Sequence, residues 1–400
     1  MTTISRISNY GSPVARMRWA IVGIVALLLS ITQSCIEPPL KLPAEEVMVD
    51  MPIVVADLEV VWNINVDWQA QWHYGWDEED TRLWGDLSYP MPTSFEVRRY
   101  FLGPEPGVPH TQVDPFPIYT NSFRRTYEFG YYDMLIWSHI DSKTQTQVVT
   151  INESDLDNVY ASTTVTRAIS INRDPQTDTK PTALYNQPEI FYSAYPQSIY
   201  ISRNFEDYDY YNEDERVWVK HINCTLNPLV YIYLVQIIVL NNEDGRVQGI
   251  SGDCAISSMA SGTNVNTAHT LNSACYVYFN TRMKKGLTAN GKRADIIGGK
   301  LTTYGLCDME GYYANNRAVY QGSRGDLHNE LIFDLNMSGG SIQTVHADVT
   351  DQCQSQCHGG VITVYLDAKT IDNPTSETGQ GSLFHPTVED YDELEYDIPM

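Results

Sequence analysis

Residues 229–240 read LVYIYLVQIIVL. A strand with one wet face alternates apolar and polar residues, whereas this run is apolar at both alternating sets of positions. It therefore belongs in the middle of a sheet that is covered on both faces. It is too short for a helical membrane span, and Gln236 interrupts it. The NNEDG that follows (241–245) is a turn by composition.

Most of the chain carries the same β signature. In DLEVVWNINVDW (57–68), Leu58, Val60, Trp62, Ile64, Val66 and Trp68 alternate with mostly polar neighbours. SFEVRRYFL (94–102), YEFGYYDMLIWSHI (127–140), TQVVTI (146–151) and NVYASTTV (158–165) continue the series. CYVYFNT (275–281), ADIIGGKLTTYGL (294–306), ELIFDLNM (330–337), SIQTVHADVT (341–350) and VITVYLD (361–367) extend it. No long stretch has helical periodicity and no capping box leads into one. The proline-rich 103–117 is expected to be a loop. Many short strands separated by turn signals point to an all-β chain of immunoglobulin-like β-sandwiches.

The first residues are an address. Arg6, Arg16 and Arg18 precede an apolar run from Trp19 to Ile31, and no acid occurs before Glu37. A basic start, a short apolar middle and small residues before a cut describe a secretory signal peptide over 1–34, with Met17 as an alternative start. The run stops at Cys35. This resembles a bacterial lipoprotein signal, with Ser34 before the cut, although Thr32 stands where Leu is usual. The expected product carries acyl chains on Cys35, and two or more such chains make a stable membrane anchor.

Four hundred residues, 42% hydrophobic, suffice for two domains. Removing the leader takes away three arginines and no acid, which carries the formal charge from −24 to −27. A polyanion repels nucleic acid, so nucleic acid is excluded as a partner. Cys224, Cys254, Cys275, Cys307, Cys353 and Cys357 all lie in the second half of the chain, and residues 36–223 contain no cysteine. Exported chains meet oxidising conditions, so these six are disulfide candidates. The division expected is a tether over 35–50, a first sandwich over 51–205 and an acidic linker over 206–216. A second sandwich over 217–370 and an acidic tail over 371–400, with an edge strand near its end, complete it.

Several stretches together carry a resemblance. GYYDMLIWSH (130–139) resembles a strand of fimbrillin-like lipoproteins from Bacteroides-type bacteria. IIGGKLTTYGL (296–306), ELIFDLNMSGGSIQTVHADVTDQ (330–352), the closing VEDYDELEYDIPM (388–400) and NVDW (65–68) are similar to an uncharacterised lipoprotein family of the same bacteria. The resemblance implies two transthyretin-like β-sandwiches in tandem, lipid-anchored at the outer membrane and exposed at the cell surface. It also implies fimbrial subunits as partners, joined by edge-strand addition. It transfers no catalytic residue and no cofactor.

The candidate sites stand outside that resemblance. Trp68, Trp72, His73, Tyr74, Trp76 and Trp84 crowd into WQAQWHYGWDEEDTRLW (68–84), and five of the eight tryptophans lie within 62–84. Rings flanked by Asp77, Glu78 and Asp80 can stack on sugars, form a subunit contact, or pack beneath a loop. CQSQCHGG (353–360) offers Cys353, Cys357 and His358, too few ligands for a structural zinc site. Glu206, Asp207, Asp209, Glu213, Asp214 and Glu215 lack the ordered spacing of a calcium loop. The RGD at 324–326 is too short to carry meaning. No GxSxG, P-loop, HExxH or dinucleotide fingerprint is present. The function expected is a non-enzymatic, lipid-anchored surface protein, either a fimbria-associated (anchor, accessory or tip) or an adhesive subunit. The alternative is a glycan-binding lipoprotein of a polysaccharide-uptake system.

Overall fold

The structure is a computed structural model and describes residues 46–55, 71–103, 111–138, 149–153, 156–164, 184–252, 254–311 and 327–371, with backbone alone at 46–55, 111–113, 149, 150, 152 and 153. Ser34, Cys35, Trp68, the strand expected over 57–68, the RGD and the acidic tail beyond 371 lie outside the described residues.

The chain is all-β, as its period-2 patterning requires. The first sheet begins with β1 (Glu46–Val55), β2 (Phe95–Gly103), β3 (Thr111–Ile118), β4 (Ser122–Glu128) and β5 (Gly130–Ser138). After β6 (Val149–Glu153), β7 (Val159–Thr163) and β8 (Leu184–Tyr185), the chain returns to it with β9 (Tyr192–Ala194), β10 (Ile199–Ile201), β11 (Tyr210–Asn212), β12 (Val217–His221) and β13 (Cys224–Pro228). The order is β11-β12-β1-β13-β9-β5-β2-β3, with β10 paired to β5 and β4 to β1. Phe95, Val97, Phe123, Tyr127, Met134, Ile136, Tyr192 and Leu226 are among the buried residues of its core.

The second half is a sandwich. One sheet holds β14 (Tyr231–Leu240), and the other begins with β15 (Val247–Ile250) and β16 (Cys254–Ala260). β17 (Gly262–Asn264) joins β7 and β6 in a three-stranded sheet. Then come β18 (Ala274–Phe279), β19 (Arg282–Ala289), β20 (Lys292–Thr303), β21 (Glu330–Met337), β22 (Ile342–Asp348) and β23 (Gly360–Asp367). The four-stranded sheet runs β19-β20-β14-β23. The six-stranded sheet runs β15-β21-β16-β18-β8, with β22 on β21. Tyr233, Val235, Ile237 and Val239 of β14 face Ile256, Val277, Leu331 and Phe333 of the opposing sheet in one core. The other parity of β14, Ile232, Leu234 and Ile238, lies in a separate buried cluster on the outer face. Both faces are covered, as the unbroken apolar run demands.

Several sequence expectations are corrected. The 103–117 stretch is not all loop, because β3 starts at Thr111 and pairs with β2 through Pro115 and Pro117. β3 is an edge strand, and one side of an edge strand has no ladder for a proline to break. The acidic 206–216 segment is not a free linker: β11 pairs antiparallel with β12, and Arg124 meets Glu215 at 3.1 Å. The pairings also cross the seam expected there. β12 and β13 join the first sheet, β8 pairs in parallel with β18, and β7 pairs with β17. β1 starts inside the stretch expected as tether. Tyr100, Leu135, Trp137, Val159, Phe191, Leu229, Val265 and Tyr304 form a shared core between the two halves.

None of the six candidate cysteines forms a disulfide, and each is buried. Cys224 lies in the first core and Cys307 in the shared core. Cys254, Cys275, Cys353 and Cys357 lie in the sandwich core. Burial pushes Cys224 up to about 12 and Cys357 up to about 11, and raises Cys275 and Cys353 as well. Such thiols are small core hydrophobes and poor nucleophiles.

The CQSQC run belongs to edge protection. It straddles a short helix, α2, at Thr350–Ser355, which lies after the helix α1 (Glu78–Trp84) in the chain. Cys353 and Cys357 point into the core, while Gln352 and Gln356 reach the open edge of β23. The Thr363 N–H donates to Gln352 Oε1 (2.8 Å) and Gln352 Nε2 donates to Thr363 O (2.9 Å). Gln356 repeats the pattern on Val361 at 2.7 and 3.0 Å. Two side-chain amides thus stand in for a neighbouring strand. Replacing both glutamines by Ala removes four hydrogen bonds and should cost about 2–4 kcal/mol, read as a lower melting temperature with new aggregation by light scattering. Unchanged melting and a monodisperse sample would contradict the assignment.

His358 follows on the same turn, its ring 5.0 Å from that of Tyr231. Burial lowers its pKa below 6.5. The unfolded chain therefore takes up this proton first as the pH falls. His358 contributes its full stability above roughly pH 6.5 and loses it progressively below. Chemical denaturation between pH 7 and 5 should show that decline, and His358→Gln should flatten it; an equal slope in both proteins would refute the linkage.

Candidate functional site

The tryptophan-rich segment covers the outer face of the four-stranded sheet. Gln236, the polar residue within the apolar strand, is fully buried and explains the docking. Its Oε1 accepts from the His73 N–H (2.9 Å), and its Nε2 donates to Gln71 O (2.6 Å) and Thr363 Oγ1 (2.9 Å). One amide thereby grips the backbone of 71–73 at two points, and a buried amide needs such partners.

The neighbouring strand is cut to receive the segment. Gly298 lies opposite Gln236 in the β14–β20 ladder. A Cβ there would come within 2.5 Å of the Tyr74 ring, so the glycine makes room for it. Two residues on, buried Lys300 donates to Trp84 O (3.2 Å) and to Asp86 O, capping the exit of α1. Its pKa is lowered by burial. Thr302 donates through its hydroxyl to Pro188 O (2.8 Å) and through its N–H to Gln187 Oε1 (2.9 Å). The outward positions of IIGGKLTTYGL are therefore docking points.

The segment's charges are fixed too. α1 opens with a capping box, in which Asp77 accepts from the Asp80 N–H and Asp80 accepts from the Asp77 N–H, both at 3.0 Å. Sequence reading missed it because a seven-residue helix carries almost no periodicity; its only signal is the DEED that opens it. Asp80 is completely buried and accepts from Tyr74 Oη (2.8 Å), Arg282 (2.9 Å) and Lys284 (2.7 Å). Asp77 pairs with the same two cations, and the Lys284 ammonium foremost holds its carboxyl well below the usual range. Burial, then Asp80, push the Tyr74 hydroxyl far up.

The candidate ligand residues are thus placed by packing. Trp72 and Tyr74 are buried, with ring centroids 5.3 Å apart. Trp76 and Trp84 are partly buried and tilted together at 5.4 Å, and Trp76 Nε1 donates to Thr81 Oγ1 (3.1 Å). His73 contributes its backbone to the Gln236 clamp. A fully buried ring of this size removes about 150–250 Å² from water, roughly 4–6 kcal/mol as an upper figure. Trp72 and Tyr74 therefore serve packing, while Trp76 and Trp84 keep part of their surface exposed.

Among the described residues, no group of three or more His, Cys, Asp or Glu side chains is arranged to hold a metal ion. No helix among them is long and apolar enough to cross a membrane. A concave site that the sequence did not signal lies elsewhere. It is a cleft of about 940 Å³ whose walls include Tyr160, Gln197, Asn266, His269, Asn272 and Asp308.

No family model matches the sequence, and no curated protein matches it either. Solved structures similar to this chain include a candidate adhesin from Bacteroides ovatus. It shares 12% identity over 84% of this chain and 96% of that one, with a TM-score of 0.47. The fimbrial anchor protein of Porphyromonas gingivalis is 12% identical over 80% and 90%, with a TM-score of 0.36. The tip fimbrial protein of the same organism is 8% identical over 76% and 81%, with a TM-score of 0.31.

Asp80→Ala strips the acceptor from Tyr74 and one carboxylate from a paired cation cluster. It should destabilise the protein by about 3 kcal/mol, lowering the melting temperature by roughly 5–10 °C. A melting temperature within a degree of wild type would show that the cluster is ornamental.

Proposed function

We propose that the protein is a lipid-anchored, non-enzymatic surface protein that serves a fimbria as an anchor, accessory or tip component. The sequence supplies the export leader, the lipidation residue Cys35 and the fimbrillin-like stretches. The structural observation that carries the reading is the setting of β1, the first described strand.

β1 is paired on both sides. It runs antiparallel to β4 from Glu46↔Glu128 to Pro52↔Ser122. On its other side it runs parallel to β12 at Met48↔Val219 and then to β13 at Ile53↔Cys224. Parallel neighbours cannot be joined by a tight turn, so β1 is inserted between strands formed much later in the chain. Backbone hydrogen bonds on two edges hold it, the chemistry by which one chain completes the sheet of another. A tether that continues directly into such a strand transmits load from the lipid into the sheet. That arrangement suits a component fixed at the membrane better than a repeating shaft subunit.

Cys35→Ala should abolish fatty-acid labelling and shed the protein from the outer-membrane fraction. Chemical crosslinking on intact cells should recover fimbrial subunits with the wild-type protein and lose them with the variant. Recovery of no fimbrial chain from wild-type cells that make fimbriae would overturn the reading.

A further inference from the structure

The geometry of the cleft near Tyr160 points to a second activity: we propose that it binds a neutral glycan. The walls come from four separate stretches of chain, around 160, 197, 264–272 and 308–311. Its volume, about 940 Å³, falls within the range of about 300–1,000 Å³ typical of small-molecule sites.

The main wall is a turn held from within. Asn264 Oδ1 accepts from the N–H groups of Asn266 and Thr267, both at 2.9 Å. Asn264 Nδ2 donates to Asp157 O (2.8 Å), and Asn266 Nδ2 donates to Leu156 O (3.0 Å). The far end is pinned by Thr270, whose hydroxyl donates to Leu306 O (2.7 Å) and accepts from the Met309 N–H (2.7 Å). Gly311 packs so closely that a Cβ would stand 1.7 Å from Thr267 O. These bonds set the wall in place before any ligand arrives, which lowers the ordering cost of binding.

The lining selects the ligand class. Amides (Gln197, Asn266, Asn272), a carboxylate (Asp308), an imidazole (His269) and the Tyr160 ring share one concavity. Side-chain amides and carboxylates match the paired donor and acceptor character of sugar hydroxyls, and an aromatic ring matches a pyranose C–H face. Asn266 is 4% exposed, and its Oδ1 is buried without a hydrogen-bond partner. Asn266 therefore shapes the wall, while the exposed Gln197 and Asn272 present their amides to a ligand. Among the described residues the lining includes Asp308 and Glu310 and neither Lys nor Arg, a balance that disfavours uronic or sulfated sugars and leaves neutral ones. The described acids and histidine are not grouped to hold a metal, which separates this site from a cation site.

The test is native affinity electrophoresis of the mature protein through gels containing a β-glucan, an α-mannan or a galactan, with polygalacturonate as the acidic control. Retardation in at least one neutral gel is expected, with none in polygalacturonate. A double variant, His269→Ala with Asn272→Ala, changes one half-buried and one exposed side chain and should weaken binding by about tenfold or more at unchanged melting temperature. Tyr160→Ala is the second variant, should the first fail to fold, and is expected to show the same loss. Trp76→Ala should leave retardation unchanged. Free migration of the wild type in all three neutral gels would overturn the proposal. So would preference for polygalacturonate, or wild-type retardation of a folded cleft variant.

Discussion

A strand buried on both faces leaves a polar side chain dependent on partners inside the protein. In β14, Gln236 finds them in the backbone of residues 71–73 from far upstream, whereas the Tyr233 hydroxyl on the inner face is buried without a hydrogen bond. The rest of the cover follows from that grip. Once 71–73 is fixed, Tyr74 falls over Gly298, Asp80 reaches Arg282 and Lys284 on β19, and the end of α1 meets Lys300. Hydrophobic burial supplies the bulk of the free energy, but it is non-directional. The amide, the buried carboxylate and the glycine fix where the cover sits.

The same logic governs the edges. β23 ends its sheet with an apolar, largely buried strand, the kind of edge that invites pairing with another chain. Gln352 and Gln356 close its first half, while Cys353 and Cys357, each the next residue along, fill the core beneath. In the first sheet, β1 is instead held between β4 and the β12–β13 pair. One edge is thus closed by side-chain amides and the other strand by backbone pairing on both sides.

Much of the fold was legible because strand signals are local. The buried central strand, the all-β class and strands such as ELIFDLNM were read from alternation and length alone, and the last matches β21 residue for residue. The failures were long-range. Nothing near Trp72 announces that its partners are Ile232, Leu234 and Ile238, so rings destined for packing read equally well as a ligand platform. Cysteines read as disulfide candidates from compartment alone, whereas pairing depends on which core each one enters. The cleft was invisible for the same reason: Tyr160, Gln197, Asn266 and Asp308 meet only after the two halves share the core around Trp137 and Tyr304.

The account rests on residues 71–89 being part of the folded core, clamped by Gln236. Hydrogen–deuterium exchange of the native protein measures this at one amide. The His73 N–H should be protected to nearly the same free energy as the interior amides of β14, and should open with them in one cooperative step. Rapid exchange at His73 while β14 stays protected would mean the segment is a detachable flap, and the account would fail.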